Sequence, residues 1–535
     1  MAGEQKSRYT LAEIDGLTLR AGCGLGTVNG GNRAAAESAP AVDAAGAPIR
    51  LLRRFFSFPA VLAALLVVLA VLTVRGRFDD PDMWWHMKMG QVIWTTHTIP
   101  LHDIFSYTTH QQASVPQEWL SQLFIYGAYR SGGFTGLMIW LCALSSALLL
   151  AGYWLCWLCG RNSKVAFVGA MTLWLFGTIG FSIRPQMVGY LLLVIELAVI
   201  HLGRTRSPRW FFALPFLFAI WINSHGSYIL GVLVAGVMLV GSLFEFRAGS
   251  LAAEKWKAHT RRVFVLALVL SGAALFLNPD GIKQILYPLD TIMHQSIQMA
   301  NVEEWRPTQM TDPRGLAMLA VLLCIFLRVI VRKSELRVDE LLLLALGTWM
   351  AVSHERMLIV FGVLAAPILS RHLSSAWEAY DAAADRIWLN AVFLGAAILV
   401  VVLAFPDSGN LQRQIEEKSP VKAVEFIKEN HLAGPMLNDY GYGGYLIWAA
   451  PEYKDFIDGR GDVFEWSGVL GEFGRWATLQ SDPTVLLRKY GVNFCLLSSQ
   501  SPMIHVLPLT REWKIIYSDT NSVVLARADS AVTSN

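Results

Sequence analysis

Charge is scarce in this chain. Of its 535 residues only 16% are Asp, Glu, Lys or Arg, whereas 54% are hydrophobic and the mean hydropathy is +0.43. Soluble domains carry about 25% charged residues, so this composition excludes a soluble globule. The sequence predicts an α-helical polytopic membrane protein. The formal net charge is +3, and no nucleic acid is expected as a partner.

Cysteine is also rare, and its placement excludes a disulfide framework or a four-cysteine metal site. The chain has six cysteines. Cys156-Trp157-Leu158-Cys159 has CxxC spacing but lies in an apolar run, so no redox role is expected. The others are scattered: Cys142 and Cys324 inside apolar runs, Cys23 and Cys495 outside them.

Long apolar runs are abundant. Windows long enough to cross the hydrocarbon layer predict about eleven transmembrane helices. The predicted spans lie near Phe58–Val74, Phe134–Cys159, Val165–Phe181, Met187–Leu202, Trp210–Ile222, Tyr228–Phe246, Val263–Leu277, Leu316–Val331, Leu341–Val352, Met357–Leu369 and Ile387–Phe405.

The connections between these spans alternate between basic ones, rich in Lys and Arg, and ones that carry the other polar residues. Lys and Arg in short loops favour the cytoplasmic side. Basic connections such as Arg204 to Arg209 are therefore expected inside. The other set contains Arg184-Pro185-Gln186, His225, His354 and everything after Phe405. The pattern predicts a multi-pass membrane protein with its N-terminus in the cytoplasm and all of its unusual polar residues outside.

Composition divides the chain into three parts. Residues 1–50 are rich in Ala, Gly, Ser and Glu and are expected to be a disordered cytoplasmic tail. Residues 51–405 form the transmembrane domain, with a first external loop at 75–133. Residues 406–535 alternate helical and strand-like patterns, which indicates an extracytoplasmic soluble α/β domain.

One predicted strand of that domain, Lys454–Arg460, ends in polar residues. Ligand groups gather at the carboxyl ends of strands in open α/β sheets. Asp458, Arg460 and Asp462 are therefore candidates for contact with a sugar or phosphate. Alternatively, Asp458-Gly459-Arg460 is a turn with a structural ion pair.

Carboxylates cluster just after the first predicted span. Asp79, Asp80 and Asp82 stand among aromatic residues, and Asp103 and Glu118 follow in the same loop. A carboxylate cannot enter hydrocarbon without a cost of several kcal/mol. The cluster is therefore expected at the membrane surface, where a lipid-borne substrate presents its headgroup, and it is the first candidate for an active site.

Guanidinium and imidazole groups are expected on the same face. Arg184 and Arg356 lie at predicted outer ends of spans, and guanidinium groups match phosphate oxygens. His225 and His354 could donate further hydrogen bonds. Alternatively, Arg184 snorkels to the interface, and His225 makes only a hydrogen bond at a helix end.

Two more residues of the first loop have open roles. His86 lies about one helical turn from Asp82 and could orient its carboxylate. Glu118 precedes an amphipathic stretch, where it is either a first-turn charge or a carboxylate that faces Asp80 across a cleft.

These motifs resemble those of bacterial polytopic membrane proteins of the GT-C glycosyltransferase type, which are similar to protein O-mannosyltransferases. The resemblance extends from Phe58 to the C-terminus. Its residues are Asp80-Pro81-Asp82-Met83-Trp84-Trp85-His86, Ile99 to Thr108, Glu118-Trp119-Leu120, Arg184-Pro185-Gln186, Trp221 to Gly226 and Phe456-Ile457-Asp458-Gly459-Arg460.

The resemblance implies a chemistry. It implies a polyprenyl-phosphate-linked sugar as donor, an extracytoplasmic lipid, glycan or protein as acceptor, and an inverting transfer in which a first-loop acid is the general base. Asp80 is favoured as the base, Asp82 as a second acid, and Glu118 as a secondary candidate. Asp80 and Asp82 also have the Asp-x-Asp spacing that holds a divalent cation, Mg or Mn, in some glycosyltransferases, although no cofactor is certain. The expected substrate-binding residues are His86, Asp103, Arg184, His225, His354, Arg356, Asp458 and Arg460.

Two other functions stay open. A transporter of lipid-linked glycans would carry ionisable residues near the bilayer midplane, and the predicted spans contain little beyond Glu196 and Glu245. A polysaccharide ligase or polymerase would need a large central external loop, whereas the large loops here are the first and the last.

The predicted topology can be tested with reporter fusions at Ser106 and after Pro406. Both fusions should report an extracytoplasmic location, because both positions follow an odd number of predicted spans from a cytoplasmic N-terminus. An alkaline phosphatase and green fluorescent protein pair measures this, and a cytoplasmic signal at either position would contradict the topology.

Overall fold

The computed structural model describes residues 53–78, 80–109, 111–295, 297 and 305–529. The predicted tail at residues 1–50 and Asp79 lie outside these residues. From Arg53 onward the chain forms one compact unit, which is mostly helical.

Helices follow the apolar runs through the first part of the unit. They are α1 (Phe58–Val74), α2 (Asp82–Thr96), α3 (Trp119–Gly160), α4 (Ser163–Gly177), α5 (Gln186–Thr205), α6 (Leu214–Ser224), α7 (Tyr228–Gly241), α8 (Ala258–Ala274), α9 (Ile282–His294), α10 (Pro313–Arg332), α11 (Val338–Ser353), α12 (Leu358–Leu373) and α13 (Ile387–Ala404). Short strands β1 (Phe246–Ala248), β2 (Leu251–Ala253) and β3 (Leu336–Arg337) form a small sheet between them.

Each of the eleven predicted spans coincides with a helix. Six helical segments in the described part of the chain are long and apolar enough to cross a membrane, and α1 and α7 are shorter apolar helices. The protein is therefore a multi-pass membrane protein, while the count of eleven spans stays a prediction. The six segments are Trp119–Gly160, Ser163–Gly180, Gln186–Thr205, Pro313–Arg332, Glu355–Leu373 and Ile387–Ala404.

Helix α12 lies in the middle of the bundle, and most of its residues are buried. Small residues allow neighbouring helices to approach it closely. A Cβ atom on Gly169 of α4 would lie 2.3 Å from Ser370 Oγ, and one on Gly160 would lie 2.8 Å from the Ser370 carbonyl oxygen. Larger residues at either glycine would push these helices apart.

Helix α3 turns sharply at two glycines. Gly132 and Gly133 leave helical geometry, and Gly133 adopts φ 59° and ψ −143°. This conformation is essentially restricted to glycine. The turn separates the first-loop helix that begins at Trp119 from the membrane-spanning part of α3, so the predicted loop boundary at 133 coincides with it.

The C-terminal part contains a four-stranded sheet. Its strands are β4 (Met436–Asn438), β5 (Phe494–Ser498), β6 (Trp513–Ser518) and β7 (Ser522–Arg527), in the order β4-β5-β7-β6. Strands β4 and β5 are parallel, and the other pairs are antiparallel. The accompanying helices are α14 (Ser408–Lys418), α15 (Val421–Glu429), α16 (Gly443–Ala449), α17 (Gly461–Trp466), α18 (Val469–Ala477), α19 (Val485–Lys489) and α20 (Met503–Val506).

Both faces of this sheet are buried, because alternate residues of each strand enter two different apolar clusters. Leu437, Cys495 and Leu525 belong to one cluster. Met436 and Leu496 belong to the other. Strands and helices are thus both present in the part of the chain where the sequence showed strand-like and helical patterns.

The strand predicted at Lys454–Arg460 is wrong. This segment bends at Phe456 and Gly459, and it makes a single bridge, from Asp455 to Ser106 of the first loop. The backbone of this segment bonds to the Asn438 side chain instead of to a neighbouring strand. Asn438 Oδ1 accepts from Phe456 N at 2.7 Å, and its Nδ2 donates to Ile457 O at 2.6 Å.

The first loop and the C-terminal part lie at the same end of the molecule. Tyr107 N donates to Asp455 O at 3.2 Å, and Thr108 Oγ1 donates to Phe456 O at 2.6 Å. The rings of Trp84 and Tyr445 meet edge to face at 5.0 Å. These contacts agree with the prediction that both segments are on one side of the membrane.

Substituting the glycine at the turn of α3 should destabilise the protein. Gly133→Ala forces a side chain into the positive-φ conformation and should cost about 1–3 kcal/mol. Gly127→Ala is the matched control, since Gly127 is helical and a Cβ there meets nothing within 4 Å; it should be neutral or stabilising. Thermal unfolding in detergent measures both, and equal melting temperatures would contradict the strain at Gly133.

Candidate active site

The centre of the site is one guanidinium group between two carboxylates. Arg184 Nε donates to Asp80 Oδ2 at 2.6 Å, and Arg184 Nη2 lies 3.2 Å from Asp82 Oδ2. The carboxylates come from the first loop and Arg184 from the start of α5. The structure therefore brings together three residues that were predicted separately.

The local sequence holds these carboxylates in place. Asp80 Oδ1 accepts from Asp82 N at 3.0 Å, so Asp80 satisfies a backbone donor at the start of α2, as capping residues do. Asp82 Oδ1 accepts from Trp85 Nε1 at 3.3 Å. A Cβ atom on Gly459 would lie 1.9 Å from Asp82 Oδ1, so only glycine fits where the C-terminal segment crosses this carboxylate.

Glu118 lies between two histidines. Its Oε2 is 3.7 Å from His86 Nδ1, and its Oε1 is 3.5 Å from His225 Nε2. Gln122 Nε2 is 3.4 Å from His86 Nδ1, and Ser227 N donates to His225 Nδ1 at 3.0 Å. The backbone bond to Nδ1 leaves the proton of a neutral His225 on Nε2, which faces Glu118.

Burial sets the charges in this cluster. Burial, reinforced by the Asp462 and Asp82 carboxylates, raises the pKa of Glu118 to about 8, although Arg184 and Arg356 act in the opposite direction. Burial also lowers the pKa of His225 to about 3, with Arg356 adding to the effect. Glu118 is therefore protonated and His225 neutral near pH 7.

Arg356 lies close to this cluster, since it contributes to the electrostatics of both Glu118 and His225. Its Nη2 donates to Gln186 Oε1 at 2.7 Å, and its guanidinium lies 4.6 Å from the Trp305 ring centroid. The cation–π contact holds the side chain in one orientation.

His354 is turned toward Trp305. Its Nδ1 lies 2.8 Å from the Trp305 carbonyl oxygen, and the two rings meet edge to face at 5.1 Å. These contacts connect His354 to the Arg356 side of the site, and its predicted role in substrate binding stays a prediction.

Asp103, Asp458 and Arg460 form a separate buried ion-pair network. Arg460 Nε lies 2.9 Å from Asp458 Oδ1, and Arg460 Nη1 donates to Asp103 Oδ1. Asp103 also accepts from Thr109 Oγ1 at 2.8 Å. All three side chains are at most 4% exposed. The geometry is that of the structural ion pair considered as an alternative, and it joins the first loop to the C-terminal segment.

Asp455 lies next to this network. It is fully buried, and neither carboxylate oxygen has a hydrogen-bond partner in the structure. Burial, together with the charge of Asp458, raises its pKa well above the usual range. The neutral form of Asp455 is therefore favoured, since an ionised Asp455 would add a third carboxylate beside the single Arg460 guanidinium.

A cleft opens beside Trp85, with about 500 Å³ of empty space that includes open solvent. Two of its lining residues form a hydrogen bond: Tyr287 of α9 donates to Asp462 Oδ2 at 2.9 Å. The sequence did not predict this pair. Burial raises the pKa of Asp462 to about 6. Tyr287 was not among the residues predicted from the sequence, because its partner Asp462 is 175 residues away.

The donors fit a divalent cation poorly. Asp80 and Asp82 both lie against the Arg184 guanidinium, where a cation would have to sit. Across the part of the chain that the structure describes, no three His, Cys, Asp or Glu side chains converge closely enough to hold a metal ion. The Mg or Mn site therefore stays a prediction.

No protein-family model and no curated protein sequence matches the chain. The oligosaccharyltransferase of Archaeoglobus fulgidus, solved with a tethered acceptor peptide containing the NVT sequon, is similar at a TM-score of 0.51 and 11% identity, over 89% of this chain and 75% of that one. Its apo form is similar at a TM-score of 0.49 and 12% identity, over 88% of this chain and 75% of that one. ArnT from Cupriavidus metallidurans bound to undecaprenyl phosphate is similar at a TM-score of 0.48 and 13% identity, over 88% of this chain and 98% of that one. The likeness shows the fold, and the GT-C-like fold implied by the motifs is confirmed.

The raised pKa of Glu118 predicts a specific pH dependence of stability. Between about pH 4.5 and pH 8 the unfolded chain ionises Glu118 while the folded protein keeps it protonated. Stability should therefore fall as pH rises through this window. Glu118→Gln removes this effect, so the melting temperature of the variant minus that of the wild type should increase from pH 5 to pH 8.

The control is Glu452→Gln, whose carboxylate is 51% exposed and pairs with Lys428 at 3.5 Å. Its melting temperature should stay parallel to that of the wild type across the same pH range. A constant difference between Glu118→Gln and the wild type would show that Glu118 titrates like an exposed acid.

Proposed function

We propose that the protein is a membrane glycosyltransferase that moves a sugar from a polyprenyl-phosphate donor to a hydroxyl group of an extracytoplasmic acceptor. The observation that carries this proposal is the position of Arg184 between Asp80 and Asp82. This position puts a cation that can bind a phosphate next to a carboxylate that can accept a proton. The GT-C-like fold supports the same proposal.

The donor phosphate binds on the side of Arg184 and Arg356. Both guanidinium groups act on the electrostatics of Glu118, so both lie near one centre. Guanidinium groups bind phosphate oxygens through paired hydrogen bonds. Positive charge at this point stabilises the phosphate as it departs with negative charge.

Asp82 is the general base in this proposal. Its side chain is 20% exposed, whereas that of Asp80 is 7% exposed and caps α2. The acceptor oxygen forms a bond to the anomeric carbon while the bond from that carbon to the phosphate oxygen breaks. The electron pair leaves with the phosphate, and the acceptor proton passes to Asp82. Attack from the face opposite the leaving group inverts the anomeric centre.

Asp80 has a positioning role. Its carboxylate orients Arg184 through the Nε bond and fixes the first turn of α2 through Asp82 N. Both contacts determine where the Asp82 carboxylate stands. The alternative, in which Asp80 itself takes the proton, requires it to leave the Arg184 guanidinium.

The proposed location is the outer face of the bacterial plasma membrane. The support is the basic character of the connections at the opposite ends of the spans, such as Arg204 and Arg206, and the shared end of the first loop and the C-terminal part. The acceptor is then a lipid, glycan or protein outside the cytoplasm.

Loss of the base should separate binding from chemistry. Asp82→Asn should lower kcat by about 10²–10⁴-fold, because the amide cannot take the acceptor proton, while the affinity for undecaprenyl phosphate stays within a few-fold. Arg184→Ala should instead weaken that affinity. Transfer of radiolabelled sugar from polyprenyl-phosphate donors and binding of undecaprenyl phosphate in detergent measure the two effects.

Glu452→Gln serves as the control, since it is an exposed acid of the C-terminal part, and it should behave as the wild type. Full activity in Asp82→Asn, or wild-type affinity in Arg184→Ala, would contradict the assigned roles.

A further inference from the structure

The Asp82 carboxylate divides the site into two sides of different charge. Oδ2 faces Arg184 at 3.2 Å, and Oδ1 accepts from Trp85 Nε1 at 3.3 Å. Trp85 forms part of the wall of the cleft. The cationic side and the cleft therefore meet at the same carboxylate.

The cleft carries carboxyl groups and almost no available positive charge. Glu118 and Asp462 line it, and Arg460 is the one cationic residue among its described lining residues. The Arg460 guanidinium is already bonded to Asp103 and Asp458. An anionic ligand would meet the Asp462 carboxylate while the cationic lining residue, Arg460, is already paired, so the cleft favours a neutral ligand over phosphate and other acidic groups.

The rest of the lining combines an aromatic and apolar wall with groups that accept hydrogen bonds. Trp85, Met89 and Ile93 come from successive turns of α2. Gln117 and Gln122 add amide oxygens near Glu118. A ligand pocket of this kind binds an apolar surface on one side and orients polar groups with a few placed acceptors on the other.

A sugar ring has these two properties. Its C–H faces pack on an aromatic ring, and its hydroxyl groups donate to carboxylate and amide oxygens. A peptide in extended form needs an open strand edge for its backbone. None of the strands that the structure describes contributes a residue to the cleft.

We propose that this cleft is the acceptor subsite and that it binds a neutral saccharide. One sugar ring packs against Trp85, and Asp462 and Glu118 accept hydrogen bonds from the sugar hydroxyl groups. The proposal rests on the proposed function. It makes the acceptor a glycan, or the sugar portion of a glycolipid.

Tyr287 and Asp462 act as specificity residues in this arrangement. Tyr287 donates to Asp462 Oδ2 at 2.9 Å and so fixes this carboxylate in the lining that also contains Trp85. Helix α9 thus connects the acceptor cleft to the C-terminal segment that follows Arg460.

Ligand binding to the full-length protein in detergent tests this inference. The probes are three neutral disaccharides (cellobiose, maltose and chitobiose), glucose 6-phosphate, and a short peptide with Asn, Ser and Thr. Saturation-transfer NMR, with and without undecaprenyl phosphate, measures their binding. At least one neutral disaccharide should bind, and the phosphorylated sugar and the peptide should not.

Substitutions locate the binding. Trp85→Leu and Asp462→Asn should each weaken disaccharide binding by about tenfold. Trp94→Leu is the matched control, because Trp94 lies on the same helix, is 41% exposed and is not part of the cleft lining; it should leave binding unchanged. Tyr287→Phe gives a second test of the Asp462 wall if Asp462→Asn unfolds, and it should also weaken binding.

The outcomes separate the two proposals. If undecaprenyl phosphate binds but no disaccharide does, or if Trp85→Leu and Tyr287→Phe leave disaccharide binding unchanged, the acceptor inference is wrong and the proposed function stands. If the peptide binds in the cleft instead, the saccharide class is wrong. If undecaprenyl phosphate fails to bind at all, the proposed function itself fails, whatever the disaccharides do.

Discussion

The Arg184 guanidinium is the interaction on which the rest of the site depends. Two carboxylates separated by a single residue repel each other, and a partly buried pair is stable only when a cation compensates it. Arg184 supplies that charge from α5, with contacts of 2.6 Å to Asp80 and 3.2 Å to Asp82. The same contacts hold the start of α2 against the helix bundle. An arrangement that stabilises the fold therefore also places the cation proposed to bind the phosphate next to the carboxylate proposed to accept the proton.

A second constraint is that charges buried around this centre are either paired or neutral. Arg460 pairs with Asp103 and Asp458 and joins the first loop to the C-terminal segment, whereas burial raises the pKa of both Asp455 and Glu118 and so favours their neutral forms. Arg184 faces Oδ2 of Asp82, and Arg184 and Arg356 both act on the electrostatics of Glu118. In the cleft, the one cationic residue among the described lining residues, Arg460, is already paired with Asp103 and Asp458, and the lining otherwise combines carboxyl and amide groups with apolar and aromatic walls. This asymmetry is the physical basis for assigning the donor phosphate and the acceptor to different sides.

The sequence predicted what the hydrocarbon layer dictates, and it missed what depends on distant contacts. The first span, Phe58–Val74, was predicted with the bounds that the structure gives to α1, because length and apolarity alone decide such helices. Lys and Arg patterning placed Asp82, Glu118 and Arg184 on one face, and the structure brings them together. In contrast, the strand at Lys454–Arg460 was wrong because the Asn438 side chain holds that segment. Tyr287 was missed because its partner Asp462 is 175 residues away.

The central claim is that Arg184 and Arg356 receive the donor phosphate while Asp82 remains beside Trp85. The most direct test is an electron cryo-microscopy structure of the full-length protein with undecaprenyl phosphate. The account predicts phosphate oxygens within about 3 Å of both guanidinium groups, on the side of Asp82 that faces away from the cleft. A phosphate bound inside the Trp85 cleft, or at the basic connections at the other ends of the helices, would contradict it.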